Sequence, residues 1–353
     1  MKLGRKRKTG YVLALAAVLL LPCISLLQTH AANEVDKNKA CSLTVSVEIG
    51  AASGSNDAYL EDFNQMSIPV SVYRVADVDI TGQHFTPEDA FAGLNLRVID
   101  RKGSSLTAED WQKLAQQADR IRTEASLLAD HNTTVKKQED GSQAAYGVIS
   151  GLLPGMYLVV PEASYNPDYT VLYEFSPYLT ALPGSSYTSE GTGSDEWVYD
   201  TAIGLKPDAR PQFGALHIRK TLENYNETLG KTTFVFRIIG KDKGGVIQYE
   251  EVESMTFSAA GSDTVTLEHI PAGLTLTVTE VYSGASYTVV GSKEATTVVW
   301  SDAAVEAGAG SAAEVSFTNR YDGGNRGGYG VTNRFQSDGS GGWIWENPTA
   351  EGE

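Results

Sequence analysis

The sequence predicts an all-β protein built from two tandem β-sandwich domains. Short runs of alternating apolar and polar residues are separated by turns that contain Gly or Pro, which is the pattern of half-buried strands in a sandwich. The same order of strands and turns occurs twice, as a weak internal repeat. About 320 residues follow an apparent leader, a length that suits two ordinary domains.

Three pairs of segments carry the repeat. Leu43–Ile49 matches Leu216–Lys220, and these segments open the two domains. Ile68–Val75 matches Thr233–Ile239, and Gly151–Glu162 matches His269–Glu280. Arg210-Pro211-Gln212 is the expected linker, so the domains are placed at residues 33–212 and 213–322. Residues 323–353 are interpreted as a Gly-rich C-terminal tail of the linker type.

Residues 1–32 have the form of a secretory signal peptide. A basic stretch is followed by the apolar run Tyr11–Leu27 and then by small residues up to Ala32. An uncleaved membrane anchor is the alternative, which is disfavoured because the run is short and contains Pro22. A lipoprotein signal is also disfavoured, because Pro22 precedes Cys23 where a small residue is required. The chain is therefore expected to be exported.

The charge and cysteine content of the exported part exclude several classes of protein. Loss of residues 1–31 changes the formal charge from −16 to −21, because that segment holds five basic residues and no acidic one. Such a charge opposes binding to nucleic acid or to anionic lipid. Only Cys41 remains after cleavage, so an intrachain disulfide is not possible. Cys41 is expected to be an unpaired residue near a flexible end.

The first domain contains an insertion with a predicted helix. The strand repeats lie 164 residues apart and the turn repeats 117 apart, so the first domain is longer between these points. Thr107 to Asp110 has the form of a capping box. Apolar residues follow at helical spacing: Trp111, Leu114, Ala118, Ile121, Ala125 and Leu128. The helix is expected to pack on a sheet, with a ligand-binding groove as the less favoured alternative.

The sequence lacks the standard motifs of catalysis. It has no zinc-protease motif, no nucleophile elbow, no paired CxxC and no phosphate-binding glycine loop. The protein is therefore not expected to be an enzyme, and neither a metal nor another cofactor is expected.

One segment matches the spacing of a calcium loop. Asp77, Asp79, Thr81 and Glu88 occupy ligand positions of a helix–loop–helix calcium site. The preceding residues read as a strand, and His84 stands where such a loop normally has an aliphatic residue. A polar turn between two strands is therefore the favoured interpretation.

Three strands of the second domain each carry a polar residue on an inward apolar face. Because side chains alternate along a strand, these sets share a face: Leu216, Ile218 and Lys220; Leu276, Val278 and Glu280; and Val315, Phe317 and Asn319. Desolvation favours the uncharged forms of a buried amine and a buried carboxyl. A neutral amine can attack the side-chain carbonyl of Asn319 while Glu280 transfers protons, and loss of ammonia leaves an amide bond. The alternative is three partly solvated strand ends without a bond.

Residues 213–322 resemble the collagen-adhesin B-type (Cna-B-like) domains of Gram-positive surface proteins and pilins. The resemblance lies in Ile218-Arg-Lys220, in the Pro-x-Gly turn before Thr277-Val-Thr-Glu280, and in Val315-Ser-Phe-Thr-Asn319. It implies an immunoglobulin-like sandwich with an autocatalytic isopeptide bond between Lys220 and Asn319, for which Glu280 is the catalytic residue. Asn333, in a similar segment, is a second possible acceptor, and Asn319 is favoured because its strand has the better inward apolar series.

The first domain resembles a relative that has lost this chemistry. When its opening strand is aligned with that of the second domain, Val47 takes the position of Lys220, and Glu162 matches Glu280. No acceptor Asn is found near the end of the domain. We therefore expect no bond of this kind in the first domain.

The end of the first domain is similar to the pilin motif of Gram-positive shaft pilins. Trp197 and Lys206 have the spacing of that motif, in which sortase joins the next subunit to the lysine. The resemblance implies that Lys206 is a sortase acceptor, although Thr201 and Gly204-Leu205 depart from the motif. The alternative is an ordinary last strand with a solvated lysine.

The favoured function is that of a structural subunit in a Gram-positive pilus or wall-associated surface protein, secreted to the cell surface and joined to other pilin subunits by sortase. An adhesin that binds a host matrix protein or glycan through the inserted region is the alternative, and a hydrolase with an unrecognised site is a third. The last residues, Trp343–Glu353, contain no LPxTG-like motif or apolar span. Truncation and another mode of retention both stay open.

Overall fold

The computed structural model describes residues 34–47, 57–102, 106–140, 144–185, 196–324, 334–337 and 343–346. The chain divides into two compact units, residues 1–212 and residues 213–353, which are called the first and second unit below. The predicted signal peptide lies outside the described residues. Within the described ranges, no helix has the length and apolar character needed to cross a membrane.

The first unit consists of thirteen strands and three α-helices among its described residues. Its strands are β1 (Cys41–Val47), β2 (Ser67–Val78), β3 (Phe85–Pro87), β4 (His131–Lys137), β5 (Ala145–Leu152), β6 (Gly155–Pro161), β7 (Ser164–Tyr165), β8 (Val171–Phe175), β9 (Tyr178–Leu182), β10 (Gly184–Ser185), β11 (Trp197–Val198), β12 (Asp200–Leu205) and β13 (Pro207–Pro211), and its helices are α1 (Asp57–Gln65), α2 (Arg97–Lys102) and α3 (Ala108–Glu124).

One large sheet organises the first unit. Its strand order is β12-β1-β5-β4-β2-β6-β9, with β3 paired to β2. A small sheet, β13-β8-β7, contributes Tyr173 to the hydrophobic core on one face of the large sheet, where Phe63 of α1 also packs. A second hydrophobic core is formed by residues of α2 and α3 together with residues of β2, β6 and β9. The alternation in β1 explains the first core, because Leu43, Val45 and the other odd-numbered residues are buried.

The predicted helix is confirmed as α3, but it ends earlier than the predicted apolar series. Thr107 and Asp110 form the predicted capping box, and Leu114 and Ala118 are buried against the sheet. The helix ends at Glu124, so Ala125 is its C-terminal cap and Leu128, which is 91% exposed, lies outside it. The helices α1 and α2 were not predicted, because each is short and has no capping box in the sequence.

Two further expectations for the first unit were wrong. Arg210 and Pro211 are not a linker, because they belong to β13, which pairs with β8. Cys41 is not near a flexible end: it begins β1, has no disulfide, and is only 1% exposed. In both cases neighbouring strands, distant in sequence, order residues whose local composition suggested a loop.

Residues 213–322 of the second unit form a sandwich of two four-stranded sheets. Its strands are β14 (Phe213–Leu222), β15 (Thr232–Lys241), β16 (Ile247–Phe257), β17 (Gly261–Pro271), β18 (Thr275–Tyr282), β19 (Tyr287–Val290), β20 (Glu294–Val298) and β21 (Ala313–Tyr321), and the short helix α4 (Asp302–Glu306) precedes β21. The sheet orders are β17-β14-β21-β19 and β16-β15-β18-β20. Inward residues of both sheets form one hydrophobic core. The prediction of an all-β fold with an immunoglobulin-like sandwich is confirmed.

The tail is not linker-like throughout. Residues Arg334–Ser337 (β22) pair antiparallel with residues Trp343–Glu346 (β23). The composition of the tail predicted a linker because Gly and Ser dominate the segments around these two short strands.

Both units pair their first strand in parallel with a strand from the C-terminal part of the unit. In the first unit β1 pairs with β12, and in the second unit β14 pairs with β21. In the sandwich of the second unit, the strand that enters and the strand that leaves are therefore direct neighbours in a sheet. This arrangement places the candidate site of the second unit between its two ends.

Candidate cross-linking site

The three predicted site residues meet inside the second unit. Lys220 lies on β14, Asn319 lies on the adjacent strand β21, and Glu280 lies on β18 in the opposite sheet. In the parallel register Lys220 is opposite Phe317 and Leu222 is opposite Asn319, so the amine and the carboxamide are diagonal neighbours. The inward series of β14 continues to Leu222, so Lys220 lies within this series and not at its end, as the sequence suggested.

All three side chains are buried, and they contact one another directly. Lys220 and Asn319 are 0% exposed and Glu280 is 2% exposed. Lys220 Nζ lies 2.6 Å from Glu280 Oε2 and donates a short hydrogen bond to Asn319 Oδ1. Asn319 Nδ2 donates to Glu280 Oε1 at 2.6 Å, and the carbonyl oxygen of Ser283 lies 3.4 Å from the same nitrogen. Each side chain of the triad therefore contacts the other two.

The surroundings of Lys220 favour an uncharged amine. Burial lowers the pKa of Lys220 below its ordinary value, although the carboxyl of Glu280 opposes this effect. The ring centroids of Phe234 and Phe236 lie 4.4 and 5.7 Å from Lys220 Nζ. These two rings were missed by the sequence analysis, although their alternation on β15 marks them as inward residues.

The carboxyl group of Glu280 bridges the two nitrogen atoms of the site. One of its oxygens contacts the amine of Lys220 and the other contacts the amide nitrogen of Asn319. A carboxyl in this position can take a proton from an attacking amine and give a proton to a departing amide nitrogen. The arrangement is suited to acyl transfer from Asn319 to Lys220.

The matching region of the first unit lacks these groups. Val47 pairs with Leu205 at the end of the parallel β1–β12 ladder, as Lys220 pairs with Phe317 in the second unit. Two residues after Leu205 the chain has Pro207, at the position that corresponds to Asn319. Glu162, which matches Glu280 in sequence, is exposed. A valine, a proline and a solvated carboxylate cannot perform the same reaction.

Lys206 lies at the surface, between the end of β12 and the start of β13. The preceding segment is ordered by close packing, because Trp197 lies against Gly82 in the turn between β2 and β3. Gly82 has a φ of +73°, and a Cβ atom there would lie 2.2 Å from the indole ring. The structure thus places the lysine on the surface and its motif tryptophan in the fold.

The segment that resembles a calcium loop is a polar turn. Arg74 forms ion pairs with Asp77 and Glu88, and Asp79 accepts hydrogen bonds from residues within the turn, among them Thr81. All four ligand-like residues are therefore engaged by protein groups. Among the described residues, no three His, Cys, Asp or Glu side chains are grouped as a metal site requires.

Comparisons with known proteins give one family model and several solved structures to which the chain is similar. A family model described as a domain of unknown function (DUF5979) matches residues 216–322, and no curated protein sequence matches the chain. Among solved structures the chain is similar to a streptococcal ancillary pilin, with 12% identity over 80% of this chain and 69% of that chain and a TM-score of 0.26. It is also similar to the minor pilin GBS52 of Streptococcus agalactiae, with 12% identity, coverage of 80% and 96%, and a TM-score of 0.23.

A third similar structure is the full-length major pilin SpaD from Corynebacterium diphtheriae, with 11% identity, coverage of 81% and 99%, and a TM-score of 0.25. These TM-scores are below 0.5, so we base the proposals that follow on the residues of this chain.

Proposed function

We propose that this protein is a structural subunit of a Gram-positive cell-surface pilus or wall-associated fibre, whose second unit is closed by an autocatalytic Lys220–Asn319 isopeptide bond. The observation that carries the proposal is the bridging carboxyl of Glu280, which contacts both nitrogens of the reaction in a fully buried site. A covalent link between the first and last strands of a domain is of use to a protein that is held under tension.

The reaction balances without a cofactor. A proton moves from the ammonium of Lys220 to Glu280, and the neutral Nζ attacks Cγ of Asn319. The bond from Cγ to Nδ2 then breaks, with Glu280 giving a proton to the departing nitrogen and receiving one from Nζ. One ammonia molecule leaves, and an amide bond joins Nζ to Cγ. The neighbouring Ser283 carbonyl and the Phe234 ring hold the reacting groups in a site without solvent.

The alternative is that the triad stays an unlinked hydrogen-bonded group. A buried ion pair contributes little to stability, because the cost of removing both charges from water offsets their attraction. Lys220 and Glu280 are both completely buried, so a purely structural role would place three polar groups in the core with little net gain. The cross-linking reaction between Lys220 and Asn319 gives a clearer reason for the arrangement of the three groups.

Intact-mass measurement tests the proposal directly. The full exported chain should weigh about 17 Da less than its sequence because one ammonia is lost. A digest should contain one branched peptide that joins Lys220 to Asn319, and the Asn319→Ala variant should have its full sequence mass. A wild-type chain at full mass would leave Lys220 and Asn319 as a hydrogen-bonded pair only.

Assembly into a fibre is the second part of the proposal. The exposed position of Lys206 supports its role as the amine to which sortase joins a neighbouring subunit. The partners are then other pilin subunits, and the site of action is the surface of a Gram-positive cell.

A further inference from the structure

A turn of the second unit contributes a fourth group to the site of Lys220, Glu280 and Asn319. Ser283 follows the end of β18, and its main-chain carbonyl oxygen accepts a hydrogen bond of 3.4 Å from Asn319 Nδ2. The same nitrogen donates to Glu280 Oε1 at 2.6 Å. The two hydrogens of the carboxamide nitrogen therefore have two different acceptors, a carboxyl side chain and the main chain of the turn.

We propose that the turn Ser283-Gly284 is a positioning element for the cross-linking reaction: its carbonyl oxygen fixes the carboxamide of Asn319 with Oδ1 toward Lys220 and Nδ2 toward Glu280. The inference rests on the proposed isopeptide bond. It deepens that proposal, because it assigns the choice between the two orientations of the carboxamide to a group outside the triad.

Only one of the two orientations of the Asn319 carboxamide suits the reaction. With Nδ2 beside Glu280, the acid can give a proton to the departing nitrogen. Rotation of the carboxamide by half a turn exchanges its oxygen and its nitrogen. Nδ2 would then lie beside Lys220, away from the carboxyl oxygen that must protonate it, and Oδ1 would face the carbonyl oxygen of Ser283. The reversed carboxamide is therefore unproductive.

The triad by itself does not fix this orientation. A carboxyl group accepts hydrogen bonds when it is ionised and donates one when it is protonated, and an uncharged amine both donates and accepts. Glu280 and Lys220 exchange protons in the proposed reaction, so each can meet either end of the carboxamide. The main-chain carbonyl oxygen of Ser283 only accepts. Its preference for Nδ2 therefore stays constant while the protons of the site move.

Close packing holds the turn against both sheets. Gly284 has a φ of +82°, in the left-handed region that favours glycine. A Cβ atom there would lie 2.7 Å from Thr232 Oγ1 and 3.1 Å from Tyr287 Cδ2. Thr232 begins β15 and Tyr287 begins β19, and these strands belong to different sheets. The main chain at Gly284 thus occupies a space that has no room for a side chain.

The turn is also fastened to the strand of the residue that it orients. Ser286, which is 1% exposed, accepts a main-chain hydrogen bond of 3.0 Å from Asp322 N. Asp322 directly follows β21, the strand that carries Asn319. The carbonyl of Ser283 and the carboxamide of Asn319 are therefore held in a constant relation by the surrounding main chain.

The rate of cross-linking in Gly284→Ala tests the inference on the full exported chain. The chain is produced as inclusion bodies, dissolved in denaturant and refolded by dilution, and intact mass before dilution identifies the unlinked starting material. Intact mass then follows the loss of about 17 Da, and near-ultraviolet circular dichroism follows folding in the same sample. Once folded, Gly284→Ala should lose ammonia about tenfold more slowly than wild type, because the displaced carbonyl no longer holds Nδ2.

Gly245→Ala is the matched control. Gly245 lies in the turn between β15 and β16 with nearly the same φ, +80°, but nothing lies within 4 Å of a Cβ atom there. This substitution imposes the same backbone strain without displacing the turn at Ser283. The folded Gly245→Ala chain should therefore cross-link at the wild-type rate.

Removal of the first atom that the new Cβ meets should restore the reaction. Thr232→Ala/Gly284→Ala lacks Thr232 Oγ1, so the turn can return toward its native position. The double variant should recover most of the wild-type rate, and Thr232→Ala alone should react as wild type does. A slow double variant would show that the left-handed φ, and not the position of the carbonyl, limits the reaction of Gly284→Ala.

Nuclear magnetic resonance of an unlinked chain reads the orientation directly and does not depend on the folding of Gly284→Ala. In Lys220→Met, which has no amine to attack, the labelled carboxamide of Asn319 should show both Nδ2 hydrogens at the low-field shifts of hydrogen-bonded groups. Added Gly284→Ala should move only the resonance of the hydrogen toward Ser283. A resonance at the shift of a free amide in Lys220→Met, or an equal movement of both resonances in the double variant, would overturn the inference.

The outcomes separate this inference from the proposed function. A wild-type chain that keeps its sequence mass after refolding would remove the proposed bond and this inference together. A wild-type chain that loses about 17 Da, while folded Gly284→Ala reacts at the same rate, would overturn the inference and leave the proposed function intact. Equal slowing of Gly284→Ala and Gly245→Ala would have the same meaning.

Discussion

Lys220 Nζ and Glu280 Oε2 lie 2.6 Å apart, and neither side chain is exposed to solvent. The second oxygen of Glu280 contacts Asn319 Nδ2 at the same distance. A carboxyl that served only as the counter-ion of a buried lysine would not need to contact the amide as well. The proposed reaction between its two neighbours requires this shared contact.

Replacement of Glu280 by glutamine should stop the cross-link. The side chain keeps its size and its hydrogen-bonding groups but cannot accept and return a proton, so Lys220 and Asn319 remain present and unlinked. Intact mass should equal the sequence mass. The control is Asn224→Ala, which removes a nearby carboxamide that accepts a hydrogen bond from Tyr321 N and should leave the bond in place. A cross-linked Glu280→Gln chain would show that Glu280 is not the proton carrier.

Loss of the bond should destabilise the second unit selectively. The bond joins residues 99 positions apart, and by analogy with a disulfide over a loop of that length it should contribute roughly 4 to 5 kcal/mol. In calorimetry of Asn319→Ala, the transition of the second unit should move to lower temperature and that of the first unit should stay. The control is Asn333→Ala, at a position outside the described residues, which should behave as wild type. Equal transitions in Asn319→Ala and wild type would contradict the proposal.

Replacement of Lys206 by alanine should abolish covalent polymers without changing the fold. In the bacterium that produces the protein, ladders that survive boiling in detergent should disappear, because the acceptor amine is gone. Lys231→Ala is the matched control, since Lys231 is also exposed but lies in the second unit. Ladders that persist in Lys206→Ala would transfer the acceptor role to another lysine.

The packing of Trp197 on the turn predicts a difference between two glycine substitutions. Gly82 and Gly151 both have left-handed φ angles, +73° and +78°, but a Cβ atom meets Trp197 only at Gly82 and meets nothing within 4 Å at Gly151. Gly82→Ala should therefore lower the free energy of unfolding of the first unit by about 2 to 3 kcal/mol, and Gly151→Ala by about 1 kcal/mol. Chemical denaturation of both variants measures the difference. Equal losses would show that the indole does not constrain the turn.

The sandwich of the second unit and the three residues of its candidate site could be predicted from the sequence. Period-two alternation puts Lys220, Glu280 and Asn319 on inward faces, and burial then forces three polar groups into one core. Alternation does not give the register between strands, so the diagonal placement of Lys220 and Asn319, and the bridging by Glu280, needed the structure. Phe234 and Phe236 follow the same alternation on β15. They were not predicted as part of the site because apolar inward residues are expected in any sandwich core.

The first unit was harder to predict because long-range pairing orders segments with weak local patterns. Arg210-Pro211-Gln212 looks like a linker, yet Arg210 and Pro211 pair with β8. Glu162 was matched to Glu280 because the residues around the two glutamates are similar. The structure shows that this similarity does not extend to burial, since Glu162 is exposed. The similar turns therefore do not show whether the glutamate that follows each of them faces the core.

The burial of Cys41 predicts a loss of stability in alkaline solution. Burial, assisted by the charge of Asp200, raises the pKa of the Cys41 thiol from 9.0 to about 11. Below pH 9 the thiol is protonated in both the folded and the unfolded chain, so it has no effect on pH dependence. Between pH 9 and 11 the unfolded chain loses this proton and the folded chain keeps it, so the free energy of unfolding must fall as the pH rises. The loss should reach about 2 kcal/mol for the first unit.

Cys41→Ala isolates this effect from other groups that titrate in the same range. The variant is less stable at every pH because a buried side chain is shortened, but its free energy of unfolding should decline about 2 kcal/mol less than that of wild type between pH 9 and 11. Denaturant titrations of both chains at several pH values measure the two slopes. Parallel slopes would mean that the thiol ionises as easily in β1 as in the unfolded chain, which its 1% exposure opposes.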